Sequence, residues 1–413
     1  MMVWTMFRFS AASIWVIAFV VCFLPVSGGC GGGPGDSADT MVDAWPDTRV
    51  DVPPTDLALD DVEGADSVPD TSCGDICFDD ASFGDVSLDA TVDVDAGDVV
   101  EPPVLCPAFD SRLVAGVLDS TPLNEVSGLA ASIRHPGVLW GHNDSGDIAR
   151  IVAIPVPAPF PGEGMALETV EFTVNRDMVG WPSRGPGRMV PAVDWEDISI
   201  GPFAGFGGDA IFIADAGDNA HARKFVRVFV IREPETLVAG DITDVVYFDV
   251  VYLDGRHDCE AFFVDRWTGD MYFVAKEQTL RTAGVYRVSA SAMAGTPKGT
   301  RLRAALIAQV PIGLATGADM SPDGTMLAIR NYGGEEIPAG DRNNGLMFFR
   351  TAGMSVRDML SAPSCPLPNF VRDPVLEIQG ESITFSSDGA GIFTAPERFF
   401  DLPQNLNFWP MGR

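Results

Sequence analysis

Basic residues are scarce in this sequence. Of its 413 residues, 27 are Lys or Arg and only three of these are Lys, against 58 Asp and Glu, so the formal net charge is −31 at pH 7. Binding to nucleic acid needs a basic surface that neutralises the phosphates. We therefore expect no nucleic-acid partner.

Apolar runs long enough to span a bilayer occur only at the N-terminus. There, Arg8 precedes an apolar run, and three small residues lead to Cys30, which is the pattern of an export signal. The order resembles that of bacterial lipoproteins, in which such a cysteine is lipidated; an ordinary cleaved signal or an uncleaved anchor is the alternative. We predict a signal peptide at 1–29 and a lipid anchor at Cys30. The protein would then be exported and tethered to a membrane, in the periplasm or on the cell surface of a Gram-negative bacterium.

The segment after Cys30 has no sustained hydrophobic period. Residues 31–105 hold 20 Asp and Glu against the single Arg49, which leaves a formal charge of −13 for residues 106–413. Such a segment cannot bury enough apolar area to offset the entropy lost on ordering. We predict that residues 30–105 form a disordered acidic linker and that residues 106–413 form the folded domain.

Cysteine is also infrequent, with seven in the chain. Cys73 and Cys77 lie in the predicted linker and could close a small loop. Cys106 and Cys365 each border a predicted strand and could pair outside the cytoplasm. Cys259 is predicted to be a free buried thiol.

Common catalytic motifs are missing from the sequence. It contains no Walker sequence, no HExxH, no GxSxG elbow and no paired zinc motif. Any activity must therefore depend on residues that the fold brings together.

What the sequence does have is an internal repeat, in which five segments begin alike at intervals of 69, 64, 58 and 63 residues. The segments are "SGLAAS" from Ser127, "EDISIG" from Glu196, "EAFFVD" from Glu260, "ADMSPD" from Ala318 and "ESITFS" from Glu381. Each opens a unit of β-like runs separated by short turns, and the fourth run missing from the last unit is found at 112–119. This pattern predicts an all-β fold, a β-propeller of five four-stranded blades whose N-terminal strand closes the ring. Six blades is the alternative.

The opening residues of these segments are the candidate metal ligands. Each lies two residues before an apolar position, so that strand alternation would place the pair on one face of an innermost strand. Carboxylates that meet at a channel raise one another's pKa values unless a cation joins them, and calcium accepts mixed oxygen ligands. We predict that Ser127, Glu196, Glu260 and Glu381 bind Ca²⁺, while Ala318 could offer only its carbonyl oxygen. The alternative is that each glutamate binds backbone N–H groups.

The order Ser, Glu, Glu, non-acidic, Glu across five units resembles the calcium-activated nucleotidases, also called soluble apyrases. The segments "SGLAASIRHPGVLWGHNDSGDIARIVAI", "DCEAFFVDRWTGDMYFVAKE" and "GESITFSSDGAGIFTAPE" are similar to blades of that family. Phytase-like and TolB-like propellers are more loosely similar. The resemblance covers 110–413 and implies a five-bladed propeller with a calcium ion in its channel. The family has serine at the fourth position, where this alignment places Ala318, and its basic residue after the paired acids is not matched.

Polar residues follow the second strand of each unit and are predicted to share one face of the ring. A phosphoester hydrolase would need cations for the phosphate and acids that position water. The catalytic candidates are Asp144, Asp215, Lys276 and Arg330. The candidates for ligand binding are His142, Asn143, Asp218, Glu277 and Arg398. The same residue types are also common in turns.

Together these features predict a membrane-anchored lipoprotein that presents a calcium-binding propeller. It would act as a monomeric binding module for a small anionic ligand or for a protein. The alternative function is a calcium-dependent phosphoester hydrolase, nucleotidase-like or phytase-like.

Overall fold

The computed structural model describes most of the predicted folded domain. The described residues are 105–118, 121–174, 193–277, 281–296, 301–332, 344–368, 370, 377, 379–398 and 402–412. They belong to the second of two compact units, Val94–Arg413. The predicted signal peptide, the lipidation site at Cys30 and the linker up to residue 104, with Cys73 and Cys77, lie outside the described residues. No helix within the described part of the chain has the length and apolar character needed to cross a membrane.

Twenty-one strands and two short helices make up the described structure. The strands are β1 (Leu113–Val117), β2 (Val126–Ala131), β3 (Val138–Asn143), β4 (Arg150–Pro155), β5 (Val170–Val174), β6 (Trp195–Phe203), β7 (Gly208–Asp215), β8 (Val226–Ile231), β9 (Gly240–Ile242), β10 (Val245–Tyr252), β11 (Cys259–Val264), β12 (Met271–Ala275), β13 (Ala283–Val288), β14 (Leu302–Val310), β15 (Ala315–Met320), β16 (Met326–Asn331), β17 (Gly345–Phe349), β18 (Cys365–Pro366), β19 (Gly380–Phe385), β20 (Gly391–Pro396) and β21 (Asn405–Pro410). The helices are α1 (Ala290–Gly295) and α2 (Val356–Ser361). The predicted all-β class is confirmed.

The strands form four sheets, built mainly from antiparallel neighbours. Their orders are β2-β3-β4-β5-β9, β11-β12-β13-β14-β10-β8-β7-β6, β15-β16-β17-β18 and β1-β21-β20-β19. The eight-stranded sheet consists of two four-stranded meanders whose last strands, β10 and β14, pair in parallel with Val250 opposite Leu302. The chain therefore makes the same four-stranded unit repeatedly.

The two ends of the domain meet in one sheet. β1 pairs antiparallel with β21, with Leu113 opposite Phe408, so the N-terminal strand covers what would otherwise be an open edge. A disulfide joins Cys106, before β1, to Cys365 in β18, with a Cα–Cα distance of 5.4 Å. Hydrogen bonds thus hold β1 to the C-terminal β21, and a covalent link holds the segment before β1 to β18.

The first strand of each unit is the innermost one. β2 packs against β6, β6 against β11, β11 against β15, β15 against β19, and β19 against β2. These five strands form a closed ring, which makes the fold propeller-like. Because both of their faces are covered, nearly every residue in them is buried.

Apolar side chains fill the spaces between neighbouring units. One core combines residues of β2 to β4 with residues of β6 to β8, and in it the Trp140 ring lies 5.5 Å from the Phe172 ring, edge to face. Burying an aromatic side chain of this size contributes about 2–3 kcal/mol. Polar side chains in such surroundings need a specific partner, and the inner strands contain several of them.

Candidate metal centre

All five inner strands carry a β-bulge at the same place, just after their first residue. The register shifts between Val126 and Gly128, Trp195 and Asp197, Cys259 and Ala261, Ala315 and Gly317, and Gly380 and Ser382. The extra residues are Ser127, Glu196, Glu260, Thr316 and Glu381. A bulge re-aims the side chain of its extra residue. These positions are therefore equivalent because of a repeated bulge, and not because of simple two-residue alternation.

The fourth equivalent position is Thr316, and the alignment on Ala318 was wrong. Thr316-Gly317 repeats the hydroxyl–glycine pair of Ser127-Gly128, and "TGADMSPDG" has the same length up to its turn as "ESITFSSDG". Ala318 instead lies within the regular part of β15, opposite Ile329. The ring therefore reads Ser, Glu, Glu, Thr, Glu, with a side-chain oxygen at every position.

Five carboxylates, which we call the acidic cluster, surround the start of β6 and β11. Oxygens of Asp144, Asp194 and Glu196 lie within 4.8 Å of one another, and so do oxygens of Glu196, Asp258 and Glu260. Glu196 belongs to both groups and therefore links them. These buried acidic groups could hold a metal ion, since hard divalent cations prefer carboxylate oxygens.

Electrostatics in the acidic cluster favours protonation of the carboxyl groups. Burial, with Glu260 and Asp144 nearby, raises the pKa of Glu196 well above its ordinary value. Burial is also the main cause that raises the pKa of Glu260 to about 8 and that of Asp194 to about 6. Lys276 lowers the pKa of Glu260 and Arg223 lowers that of Asp194, but at both residues burial outweighs the nearby positive charge.

Glu381 lies outside the two close groups but belongs to the same electrostatic environment. Burial and the neighbouring Glu397 raise its pKa to about 8. Its charge in turn contributes to the raised pKa values of Glu196 and Glu260. Three of the four predicted calcium ligands, Glu196, Glu260 and Glu381, thus lie close enough to affect one another's pKa values. The fourth, Ser127, donates its hydroxyl to the backbone oxygen of Glu196.

Among the described residues, one cation forms an ion pair with a member of the acidic cluster. The Lys276 Nζ forms an ion pair with Glu260. Burial lowers the pKa of Lys276, but the carboxylates of Glu260, Glu381 and Glu196 raise it above the ordinary value overall. Arg223 also lowers the pKa of Asp194, but its guanidinium pairs with Asp215. The five carboxyl groups therefore outnumber the cations that act on them.

Two further features, at Gly217 and at Thr316, are compatible with a bound ion. A Cβ added at Gly217 would overlap Glu196 Oε1 and Asp194 Oδ2, so only glycine lets the backbone lie this close to the carboxylates. Thr316 is fully buried, and its Oγ1 has no hydrogen-bond partner among the described residues. A buried hydroxyl without a partner is costly in an apolar interior, and a cation would use its lone pairs.

Of the four catalytic candidates, Asp144 and Lys276 come together at the acidic cluster. Asp215 is buried and pairs with Arg223 at 2.8 Å. Arg330 is also buried and pairs with Glu377 at 2.6 Å. Asp215 and Arg330 are therefore held in separate ion pairs.

The ligand-binding candidates are more dispersed. His142 is buried, its Nδ1 lies 2.9 Å from the Asn143 carbonyl oxygen, and burial lowers its pKa to about 4, which makes it neutral at pH 7. The Asn143 amide donates to the Pro122 carbonyl oxygen at 2.7 Å and to Asp147 at 2.8 Å. Both side chains act within the fold.

The remaining three candidates lie in the connections after β7, β12 and β20. The Asp218 carboxylate accepts backbone N–H groups of its own turn, including that of Ala222 at 2.7 Å. Glu277 Oε1 lies 3.7 Å from His257 Nδ1. The Arg398 N–H donates to the Asn124 carbonyl oxygen at 2.8 Å.

Two members of the acidic cluster, Asp194 and Asp258, were not predicted from the sequence. Each lies two residues before a bulge glutamate, in "DWE" and "DCE". This repeated spacing could have identified both. Asp197 was also missed, and its carboxylate accepts N–H groups from Ile198, Phe262 and Ala318 at 2.9 Å each, which joins three inner strands.

No family model matches the chain, and no curated protein matches it. Among solved structures, it is similar to a chain of a nidogen/laminin complex, with 13% identity over 67% of this chain and 73% of that chain and a TM-score of 0.34. An exo-β-1,3-galactanase from Phanerochaete chrysosporium with β-1,3-galactotriose has 10% identity over 73% of this chain and 64% of that chain, with a TM-score of 0.42. Hydrazine synthase of Kuenenia stuttgartiensis has 11% identity over 68% of this chain and 96% of that chain, with a TM-score of 0.33. At such TM-scores these likenesses carry no argument about function.

Proposed function

We propose that this domain is a five-bladed β-propeller that binds Ca²⁺ at one end of its channel and serves as a binding module. The observation that carries the proposal is the repeated bulge, which aligns Ser127, Glu196, Glu260, Thr316 and Glu381 beside the acidic cluster. The ring of five inner strands supports the blade count. In this arrangement the sheet of eight strands counts as two blades joined by the pairing of β10 with β14.

The donor set favours calcium over softer metals. The bulge residues and the acidic cluster offer carboxylate and hydroxyl oxygens, with no thiolate or imidazole among them. Calcium takes about six to eight oxygen ligands and tolerates irregular geometry. Glu196, Glu260, Asp194 and Asp258 would supply charge, and Thr316 a neutral oxygen. A bound divalent cation would offset both the cost of burying these carboxylates and their mutual repulsion.

We further propose that the domain is exported and tethered to a membrane. The support is the sequence pattern that ends at Cys30 and the acidic composition of 30–105. The linker would hold the domain away from the lipid surface as a monomer.

Binding is better supported than phosphoester hydrolysis. The two cations predicted to contact the phosphate in hydrolysis both have carboxylate partners, Lys276 with Glu260 and Arg330 with Glu377. Because Lys276 and Arg330 are held by these carboxylates, they are not positioned to contact a phosphate group. A calcium-dependent hydrolase remains the alternative that the following experiment distinguishes.

The test is a calcium titration of the purified full chain by calorimetry, beside Glu196→Gln and, as a matched control, the exposed Glu235→Gln. We expect saturable binding that Glu196→Gln weakens by about 100-fold and that Glu235→Gln leaves unchanged. Equal binding by all three proteins would contradict the proposal. Calcium-dependent turnover of bis(4-nitrophenyl) phosphate that Glu196→Gln abolishes would establish the hydrolase instead.

A further inference from the structure

A pocket of opposite charge adjoins the acidic cluster. It has a volume of about 380 Å³ and lies between the segment before β8, the end of β10 and the turn that leads to β11. The lining residues that matter here are Arg223, Lys224, Phe225, Tyr252, Arg256 and His257. This volume is within the range of small-molecule sites.

Three cations line this pocket, and two of them lack a carboxylate partner. Within the described part of the chain, Lys224 has no hydrogen bond or ion pair, and Arg256 donates only to the His221 carbonyl oxygen, at 3.0 Å. Among the described residues, the one lining carboxylate is Asp218, which already accepts backbone N–H groups of its own turn. The pocket therefore carries a net positive charge.

Such a pocket is unusual in a domain where acids outnumber bases. The exposed Arg232, for example, faces Asp244 at 3.3 Å. Lys224 and Arg256 line the same pocket, and neither has such a partner among the described residues. Unpaired cations that converge on a concave surface attract anions.

The walls of the pocket combine aromatic side chains with those of three valines. The Phe225 ring is half-buried, and the Arg301 guanidinium lies 4.5 Å from its centroid. Tyr252 is buried, with its ring 5.3 Å from the His257 ring, edge to face. Aromatic walls of this kind favour a flat apolar group, whereas the cations favour a negative one.

We propose that this pocket binds a small organic anion, a carboxylate or a phosphate ester attached to an aromatic or similarly flat body. Lys224 and Arg256 contact the anionic group, and Phe225 and Tyr252 pack against the apolar body. The proposal rests on the binding role given above, but it does not require calcium. The Asp218 N–H donates to Asp258 Oδ1 at 2.7 Å, so the pocket borders the acidic cluster directly.

The test uses phenylphosphonate and benzoate as probes, with benzyl alcohol as the neutral control. Calorimetry on the full chain at low salt is run once with calcium and once with a chelator. We expect at least one anion to bind and benzyl alcohol to bind at least about tenfold more weakly. Tighter binding of phenylphosphonate identifies phosphate esters as the ligand class, and tighter binding of benzoate identifies carboxylates.

The variants locate the site. The double variant Lys224→Gln with Arg256→Gln should weaken anion binding by at least about tenfold, whereas Arg232→Gln, which also removes an exposed positive charge, should not. Both sets are at exposed positions, and unchanged melting curves verify folding. Failure of both anions to bind, or equal binding by the double variant and Arg232→Gln, overturns the proposal. If the anion binds but calcium does not, the anion site is supported and the proposed metal site is contradicted.

Discussion

The acidic cluster and the interiors of the blades both bury carboxylates, but they compensate for them differently. Within the blades, Asp265 pairs with Arg350, and both side chains are at most 2% exposed. Burial would raise the pKa of Asp265, but the hydrogen bonds from Arg350 and its other neighbours bring it below the ordinary value. In the acidic cluster the pKa values of Glu196 and Glu260 are raised instead. At Asp265 the hydrogen bonds, that of Arg350 foremost, outweigh burial, whereas at Glu196 and Glu260 burial prevails. This difference supports the proposed cation site at the acidic cluster.

The largest expected effect comes from breaking the ion pair between Asp265 and Arg350. Arg350→Met would leave Asp265 buried without its cation, and it would also remove the guanidinium that lies 3.6 Å from the Trp267 ring. Breaking such a buried pair costs about 3–5 kcal/mol of the free energy of unfolding. Urea unfolding measures this value, with the exposed Arg232→Met as control. A loss no greater than that of the control would show that pairing is not what compensates the blade carboxylates.

Replacing a member of the acidic cluster should have an effect whose sign depends on calcium. Without calcium, Glu196→Gln removes a repelled charge, so we expect unchanged or slightly higher stability. At a calcium concentration of 100 times Kd, the wild type gains about 2.7 kcal/mol that the variant does not. Thermal unfolding of both proteins with calcium and with chelator measures the difference. A variant that is destabilised equally under both conditions would mean that Glu196 has only a structural role.

The free energy of unfolding should also depend on pH in opposite ways because of the acidic cluster and because of Asp265. The pKa values of Glu260 and Glu381 rise from 4.5 to about 8 in the folded, calcium-free protein. The native state then binds more protons than the unfolded state between these values, so the free energy of unfolding should fall as the pH rises from about 5 to 8.

The lowered pKa of Asp265 works in the opposite direction. Its contribution is present above its ordinary pKa of 3.8 and is lost as the pH falls below that value. Urea titrations of calcium-free protein from pH 3 to pH 8 would show both slopes. Stability that rises steadily from pH 5 to pH 8 without calcium would contradict the assignment of uncompensated charge to the acidic cluster.

The smallest expected effect is at Thr316. Thr316→Val keeps the side-chain shape and removes a buried hydroxyl that has no hydrogen-bond partner among the described residues. Stability without calcium should not fall, while calcium affinity should fall about fivefold, or by about 1 kcal/mol. Calorimetry beside the exposed Thr243→Val measures this. Equal affinity in the two variants would remove Thr316 from the ligand set.

The fold could be predicted further than the site. Repeated runs with turns were enough to predict an all-β chain and to locate, at 112–119, the strand that pairs with the C-terminal β21. The position of Thr316 could not be predicted by counting alternate residues, because a bulge shifts the register in every inner strand. Asp194 and Asp258 escaped notice because they precede their strands. The Arg330 pair with Glu377 depends on residues 47 positions apart, which no local pattern shows.

The most direct test of the central claim is a crystal structure of the protein grown with calcium, with anomalous diffraction data to locate the ion. We predict an anomalous peak about 2.3–2.6 Å from carboxylate oxygens of Glu196 and Glu260, with Thr316 Oγ1 facing it. An empty acidic cluster under saturating calcium, with the glutamates bound to backbone N–H groups, would contradict the account.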